Sequence, residues 1–398
     1  MKFLKFLLFV FILSLIPGQL TRIELWQGSV AFYLHDLVLA VLLVSSLVYF
    51  LAFKRKFRLP KGAIFVLVFI LIAAISQINS FRFFSSSQIL AGNLFLIRFA
   101  AFFALYPIFL NLVSRKNIEF WTNVIISLGV LLAVLGFFQL FFLFDLRFLT
   151  NFGYDPHFGR LVSTFLDPNF FGGFQVLVLN LALSKFLDGG RKKLIFAIII
   201  LFAAIILTFS RSSYLALFVS IFLFGILKSK KLAITAFLIF FLLTPVIPRM
   251  LDRILGAVTL DVTASARIES WYQAIKVFGT SPILGIGFNN LRFAKANLGF
   301  FEISQGLGGH AGAGVDSAFL QIAATTGTFG ILIFLIFYFL LIYKNFSAKK
   351  NFYALGTFIS LIALLVHSQF VNSLFFPWIA ALFWITIAIA HVATNSRT

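Results

Sequence analysis

The chain has 398 residues, of which 61% are hydrophobic and 11% are charged, and its mean hydropathy is +1.06. Soluble globular domains carry about 25% charged residues, so this composition predicts an integral membrane protein with many spans. Because the chain has no cysteine, disulfides and thiolate metal sites are excluded. The formal net charge of +20 would suggest a nucleic-acid partner only if membrane topology did not explain it.

Apolar stretches of about 20 residues predict twelve transmembrane helices. The N-terminal stretch MKFLKFLLFVFILSLIPGQL resembles a signal peptide but lacks a clear small-x-small cleavage site, so we expect a retained first helix. The predicted spans lie near residues 3–18, 34–53, 62–79, 89–113, 119–145, 169–187, 192–209, 212–228, 231–248, 317–343, 352–372 and 374–393.

The basic residues follow this topology. If the N-terminus is inside, every predicted inner loop is short and basic, as the positive-inside rule requires. These inner loops hold most of the chain's 32 lysines and arginines, including Lys54, Lys116, Lys193, Lys230 and Lys350. The pattern predicts cytoplasmic termini at both ends. It also explains the net charge, so we expect no nucleic-acid partner.

The resulting fold class is an all-α integral membrane protein with about 12 transmembrane helices and a long, partly helical external loop between helices 9 and 10. Residues 1–248 are predicted to hold helices 1–9, residues 249–316 the extracytoplasmic (periplasmic) loop, and residues 317–398 helices 10–12 and a short cytoplasmic tail. In the loop, the apolar residues of ASARIESWYQAIKVF recur at i, i+3, i+4 and i+7. This spacing predicts an amphipathic helix on the membrane or across the bundle mouth.

Three arginines on external segments are candidate anion ligands. Arg211 lies in LTFSRSSYLALF, between two apolar stretches with almost no loop, where a cation is costly unless it faces water or an anion. The alternative is a snorkelling membrane anchor. Arg267 opens the predicted external helix and could instead be a solvated surface charge, and Arg160, in FGRLVSTF, is the third candidate. Converging guanidinium groups would suit a pyrophosphate at the membrane surface.

Two residues are candidate general bases. Asp316 begins a span with the pattern D-S-x9-G-x2-G, in which the glycines are residues 327 and 330. Its carboxylate could cap the helix, or it could accept a proton from an attacking hydroxyl. His310, in the glycine-rich run GLGGHAGAG, is the competing base. We find no zinc-ligand spacing, no DxD-like pair and no P-loop, which predicts metal-independent chemistry without a cofactor.

These segments resemble the O-antigen ligase/polymerase superfamily of bacterial membrane proteins. The resemblance runs from about Phe158 to the C-terminus and rests on GRLVSTFLDPNFFGG, TFSRSS, ARIESWYQAI, SPILGIGFNN, DSAFLQIAATTGTFG and HSQFVNSLFFPWIAALFW. It implies a multi-pass protein of the cytoplasmic (inner) membrane that moves a glycan from undecaprenyl diphosphate to an acceptor hydroxyl on the outer face. The acceptor could be a glycan, lipid A core or a protein side chain.

The resemblance implies that Arg211 and Arg267 bind the donor diphosphate. In the ligases the position that matches Asp316 is histidine. Here Asp316 or His310 would be the base of an inverting transfer, or this chain would follow polymerase-like chemistry. The main alternative function is a transporter or flippase of lipid-linked sugars, for which Arg98, inside a predicted span, is the plain candidate. A purely structural membrane scaffold would not explain why the external loop is long and polar.

Overall fold

The computed structural model describes residues 1–25, 30–189, 192–300 and 314–395 of the chain. These ranges fold almost entirely into α-helices, which confirms the predicted all-α class. The helices are α1 (Lys2–Leu13), α2 (Leu34–Ala52), α3 (Ala63–Asn79), α4 (Ser86–Leu112), α5 (Ile118–Phe142), α6 (Pro168–Leu187), α7 (Lys193–Leu207), α8 (Arg211–Leu227), α9 (Lys230–Val246), α10 (Pro248–Val258), α11 (Val262–Thr280), α12 (Leu291–Asn297), α13 (Ala318–Ser347), α14 (Phe352–His367) and α15 (Pro377–Thr394). An antiparallel hairpin, β1 (Ile23–Leu25) and β2 (Val30–Phe32), pairs Ile23 with Phe32.

A helix covers each of the twelve predicted segments, but the number of spans is not confirmed. Within the described ranges, seven helices are long and apolar enough to cross a membrane, or eight if α9 and the start of α10 form one broken span. Helices α7, α8 and α14 have 15, 17 and 16 residues. A helix needs about 20 residues to cross a membrane, so these three helices are shorter than a full span. The protein is therefore a multi-pass helical bundle in which shorter apolar helices accompany the seven long ones.

Helices α6 and α15 form the centre of the bundle. Nearly every residue of both helices is buried, and α6 packs against α5, α7, α8 and α14. Small residues such as Gly172, Gly173, Ala381 and Ala388 let neighbouring helices approach these two closely. This centre fixes the N-terminal end of α6, beside which the polar residues described below are gathered.

Helix α9 lies at the edge of the bundle and packs on α8, and Ala233 is its one buried residue. The chain then turns by 99° at Pro248. Proline is tolerated at the first position of α10 because the backbone N–H there would have no acceptor within the helix. Arg249 and Arg253 are four residues apart and so share a face of α10. Apolar residues such as Leu251 and Leu255 alternate with them around the helix, as in helices that lie along a membrane surface.

The predicted turn SPILGIGFNN packs into the bundle against a break in α13. The break is at Gly327, whose φ is +68°, in the left-handed region that favours glycine. The amides of Ile286 and Gly287 donate to the carbonyls of Ala324 and Thr325, at 3.2 and 3.1 Å. The turn therefore satisfies backbone groups beside the interruption of the helix.

The same break makes room for the turn. Thr328, whose amide would otherwise continue the helix, donates instead to the Pro282 carbonyl at 2.8 Å. A Cβ at position 327 would lie 2.1 Å from the Ile283 carbonyl oxygen. The first glycine of the G-x2-G pattern is thus required by the close approach of two backbones.

We expect Gly327→Ala to destabilise the protein by at least about 2 kcal/mol, because the alanine Cβ combines left-handed strain with a backbone clash. Thermal unfolding in detergent measures the change. Gly279→Ala is the matched control, since a Cβ there meets no atom within 4 Å and its φ is not positive. If both variants unfold at the wild-type temperature, the turn does not depend on this glycine.

Candidate functional site

Arg211 begins α8 and reaches across to the start of α11. Its Nη2 atom lies 2.8 Å from both carboxylate oxygens of Asp261, and it also donates to the Thr263 hydroxyl. Asp261 is at the same time the N-cap of α11, because it accepts the Ala264 amide at 2.9 Å. One carboxylate therefore both starts α11 and holds the Arg211 side chain, which is 9% exposed.

This ion pair persists at physiological pH. Burial opposes the charged form of Asp261, but hydrogen bonds from Arg211, Ala264 and Thr263 outweigh it and lower the pKa of Asp261 to about 2. Within the described part of the chain, the Arg211 Nε is buried and has no hydrogen-bond partner. A buried guanidinium donor without an acceptor is uncommon in proteins.

Arg267 lies on α11 and is half-buried. Among the described residues it has no hydrogen bond or ion pair, although the charges of Asp316, Asp167 and Asp261 act on it. Burial lowers the pKa of Arg267, and Asp316 opposes that effect most strongly. Arg211 is also close enough for mutual repulsion. Two cations are thus held near each other, and one of them has no direct anionic partner.

Arg211 and Arg267 line one cavity of about 510 Å³ between α8, α9, α10 and α11. The two guanidinium groups are its charged lining, and the rest of the wall is largely apolar. On α8 this wall includes Phe218, which is 44% exposed. The remaining lining residues are Ser212, Tyr214, Leu215, Phe240, Ile254, Leu260, Ala264, Ile268, Trp271 and Phe370. The cavity combines two guanidinium groups with an open apolar groove.

Asp316 is held by its backbone against α11. Its amide donates to the Ser270 hydroxyl at 3.1 Å, and its carbonyl accepts the Trp271 indole N–H at 2.9 Å. Ser270 and Trp271 lie three and four residues after Arg267, on the same face of the helix. The backbone of Asp316 is therefore fixed next to Arg267.

The carboxylate of Asp316 does not cap α13. Ser317 is the N-cap and accepts the Leu320 amide at 3.3 Å, so the capping alternative for Asp316 is wrong. Burial raises the pKa of Asp316, the charge of Asp167 raises it further, and Arg267 and Lys295 oppose the increase. Lys295 is 4% exposed and donates to the Gly314 carbonyl at 3.2 Å. Asp316 does not line the cavity of Arg211 and Arg267, and its role as a base stays a prediction.

Two further acids gather here that the sequence did not single out. Asp167 is the N-cap of α6 and accepts the amides of Asn169 and Phe170, at 2.7 and 3.0 Å. Burial raises the pKa of Asp155 to about 6, with additional contributions from the charges of Asp167 and Asp316. The signal in the sequence was the pair of Asp-Pro steps in YDPHFGR and FLDPNFF, which place acids at helix or loop ends.

Arg160 braces the turn that carries Arg211. Its Nε donates to the Thr208 carbonyl at 2.9 Å and its Nη2 to the Phe209 carbonyl at 3.2 Å. Burial, followed by the nearby charge of Arg253, lowers the pKa of Arg160 to about 9. Arg160 does not line the cavity of Arg211 and Arg267, and two of its nitrogens are already engaged. A diphosphate-binding role for Arg160 stays a prediction.

Arg249 and Arg253 on α10 complete the arginine cluster, by which we mean Arg160, Arg211, Arg249, Arg253 and Arg267. The Arg253 Nε donates to the Phe209 carbonyl at 3.3 Å, and the Arg249 Nη1 donates to the Gly159 carbonyl at 3.0 Å. Burial lowers the pKa of Arg253, and Arg211 is the strongest of the charges that add to this. The i, i+4 spacing of Arg249 and Arg253 was the available signal for a shared face.

His310, the competing base, lies outside the described residues. The structure therefore brings together Arg211, Arg267 and Asp316 of the predicted site, with Arg160 alongside.

Residues 196–335 match the family described as O-antigen ligase. This segment of the chain is similar to O-antigen ligases. This confirms the resemblance to the O-antigen ligase/polymerase superfamily that the motifs predicted. No curated protein matches the chain. The matched segment runs from within α7 to the first part of α13, and so it includes Arg211, Arg267 and Asp316.

The hydrogen bond between Trp271 and the Asp316 carbonyl predicts that Trp271→Phe loosens the backbone around Asp316. The phenylalanine keeps an aromatic ring beside Phe370 but removes the N–H that binds the Asp316 carbonyl. We expect amide hydrogen exchange in residues 314–320 to accelerate roughly fivefold. Loss of one hydrogen bond of about 1 kcal/mol raises the population of the locally open state by that factor. Tyr272→Phe, on the exposed side of α11, is the control and should leave exchange unchanged. Equal exchange in both variants and the wild type would show that α11 does not fix Asp316.

Proposed function

We propose that this protein is a membrane glycosyltransferase that moves a glycan from undecaprenyl diphosphate to an acceptor hydroxyl at the outer face of the cytoplasmic membrane. The observation that carries the proposal is the shared cavity of Arg211 and Arg267. A lipid-linked diphosphate has an anionic head and an apolar tail, and this cavity offers guanidinium groups beside an apolar groove. The O-antigen ligase domain match is consistent with lipid-linked glycan chemistry.

The arginines would act on the leaving group. When the glycosidic bond to the diphosphate breaks, negative charge grows on the diphosphate oxygens, and preorganised cations stabilise that charge in the transition state. The Arg211 side chain is held in place by Asp261, so little reorganisation is needed. Arg267 has no direct partner among the described residues and is free to pair with phosphate.

Asp316 would act as the general base. It would take the proton of the acceptor hydroxyl, whose oxygen attacks the anomeric carbon while the bond from that carbon to the diphosphate oxygen breaks. Attack from the face opposite the diphosphate inverts the anomeric centre. The raised pKa of Asp316 makes it a stronger base than an ordinary carboxylate. His310 remains the alternative base. The acceptor hydroxyl belongs to a glycan, lipid A core or a protein side chain.

The contacts of Arg98, the candidate residue for a flippase, do not support that alternative. The Arg98 Nη2 lies 2.8 Å from the Asp36 carboxylate and also donates to the Ala31 carbonyl. The rings of Phe32, Tyr33 and Phe95 surround its guanidinium. Unlike Arg211, Arg98 does not line the cavity of Arg267, and it does not line the cleft around Lys193, so it gives no support to a charged transport path.

A reconstituted reaction tests the proposed transfer. With a lipid-linked donor and acceptor, Arg211→Ala and Arg267→Ala should each reduce the rate of covalent transfer roughly 10²–10³-fold, the usual cost of removing one electrostatic stabiliser. Arg211→Lys should recover only part of this loss, because lysine keeps the charge but not the planar donor fork.

Arg82→Ala is the matched control, since Arg82 is an exposed arginine that does not line the cavity. The proposal is wrong if both alanine variants turn over as fast as this control. Movement of the lipid-linked sugar between leaflets without a covalent product would instead favour the flippase.

The carboxylates predict a pH dependence. Asp316 must be ionised to accept a proton, so transfer should rise with pH along an acid limb above the ordinary aspartate range, because burial and Asp167 raise its pKa. Asp167→Asn keeps a residue that can cap α6 but removes the charge. The pKa of Asp316 should therefore fall, and the acid limb should move to lower pH. Asp316→Asn should reduce the rate roughly 10²–10⁴-fold at every pH. An acid limb that stays in place in Asp167→Asn would count against Asp316 as the base.

A further inference from the structure

A second, larger cleft lies at the opposite end of the bundle. Lys193 begins α7, whereas Arg211 follows the end of that helix, so the two residues mark opposite ends of α7. Around Lys193, a cavity of about 1260 Å³ opens between α5, α6 and α7. It is separate from the candidate site and would face the other leaflet of the membrane.

The shape of this cleft matches a molecule with a polar head and a long apolar body. Its charged lining residues, Lys116, Glu119, Lys185, Asp188 and Lys193, all lie at the ends of helices that meet at one side. From there the cleft follows one face of α5, from Phe120 through Ile126, Val130 and Leu131 to Val134. At 1.5 Å per residue this mainly apolar face, which also contains Asn123 and Ser127, is roughly 20 Å long. Phe196, Ala197 and Ile200 of α7 form the opposite wall.

Two of the lysines are available to a ligand. Lys185 is already engaged, because its Nζ lies 2.9 Å from the Glu119 carboxylate and 2.7 Å from the Asn123 side chain. Lys116 and Lys193 are exposed and have no hydrogen bond or ion pair within the described ranges. With Glu119 neutralised by Lys185, these two cations outweigh the remaining acid, Asp188.

The same arrangement recurs on the other side of α5. A smaller cavity of about 390 Å³ between α1 and α5 shares Lys116 and Phe120 with the first, and adds Lys5 to the polar end. Phe9 and Trp121 contribute to its apolar part. The start of α5 is thus flanked by two clefts of one chemical kind.

We propose that the α5–α7 cleft binds an anionic phospholipid, with the phosphate between Lys116 and Lys193 and the acyl chains along the apolar face of α5. Basic pockets between transmembrane helices on the cytoplasmic side suit such headgroups. A free phosphate would leave the apolar length of the cleft empty, whereas a diacyl lipid fills it. The lipid would also shield Phe196 and Leu131, which are 71% and 42% exposed on the two walls.

Native mass spectrometry of the delipidated full-length protein, titrated with phosphatidylglycerol or phosphatidylcholine, tests this site. The wild type should bind phosphatidylglycerol more tightly. The double variant Lys116→Gln/Lys193→Gln should lose this preference, by roughly fivefold in affinity for each lysine removed, since a basic residue beside an anionic leaflet contributes about 1 kcal/mol. Binding of phosphatidylcholine should change little.

Three further variants separate charge, shape and folding. Lys116→Arg/Lys193→Arg keeps both charges and should keep the preference. Ala197→Trp fills the cleft and should weaken both lipids. Lys54→Gln/Lys56→Gln removes two lysines from the α2–α3 loop, which does not line the cleft, and should behave as wild type. Equal affinity of the wild type for the two lipids would overturn the proposal, and so would a preference that survives in Lys116→Gln/Lys193→Gln.

Discussion

The contacts made by α11 hold the candidate site together. At its first turn Asp261 caps the helix and fixes Arg211 of α8; further along, Ser270 and Trp271 fix the backbone of Asp316. Arg267 projects from the same helix between these two anchors. Because a helix is stiff over this length, the spacing between the two arginines and the acid depends on hydrogen bonds to one element rather than on mobile loops.

The position of α11 depends in turn on the break in α13. The turn after α11 satisfies backbone groups beside Gly327, and the amide of Thr328 closes the contact on Pro282. Membrane interiors tolerate irregular backbone only where protein or water satisfies its polar groups. The glycine pattern of α13 and the turn SPILGIGFNN therefore form one structural unit, and Asp316 lies between them in the sequence.

Much of the helical framework could be predicted from the sequence, because about 20 apolar residues in a row leave few alternatives. Arg211 was predictable for a related reason: a cation at the membrane edge needs a partner. The partner itself was not predictable, since Asp261 is 50 residues away and meets Arg211 only through the packing of α8 and α11. The same reason hides Asp155 and Asp167, whose proximity to Asp316 is a product of tertiary structure.

Arg160 shows a different limit. Its sequence context suggested an anion ligand, but its donors bind the carbonyls of Thr208 and Phe209, so its residue type did not reveal whether it binds a ligand or supports one. The predicted helix around Trp271 was confirmed as α11, yet its apolar residues divide between two environments. Ile268 and Ile275 are exposed at 50% and 57%, whereas Trp271 and Phe278 pack inward against the buried Ala274. Periodicity identifies a helix but not which neighbour covers each side.

The two ends of the bundle use different cations, and physical chemistry gives a reason. The arginine cluster is partly buried, braces backbone carbonyls and keeps further donors for a ligand. Guanidinium tolerates such burial because it is weakly hydrated and stays charged, and its planar fork suits two phosphate oxygens. At the other end, Lys116 and Lys193 are exposed, compact point charges on flexible stems, which suit a headgroup that exchanges with the surrounding lipid. Arginine therefore suits the proposed diphosphate, whose charge would develop at a fixed position. Lysine suits the proposed phospholipid headgroup, which would exchange with the surrounding lipid.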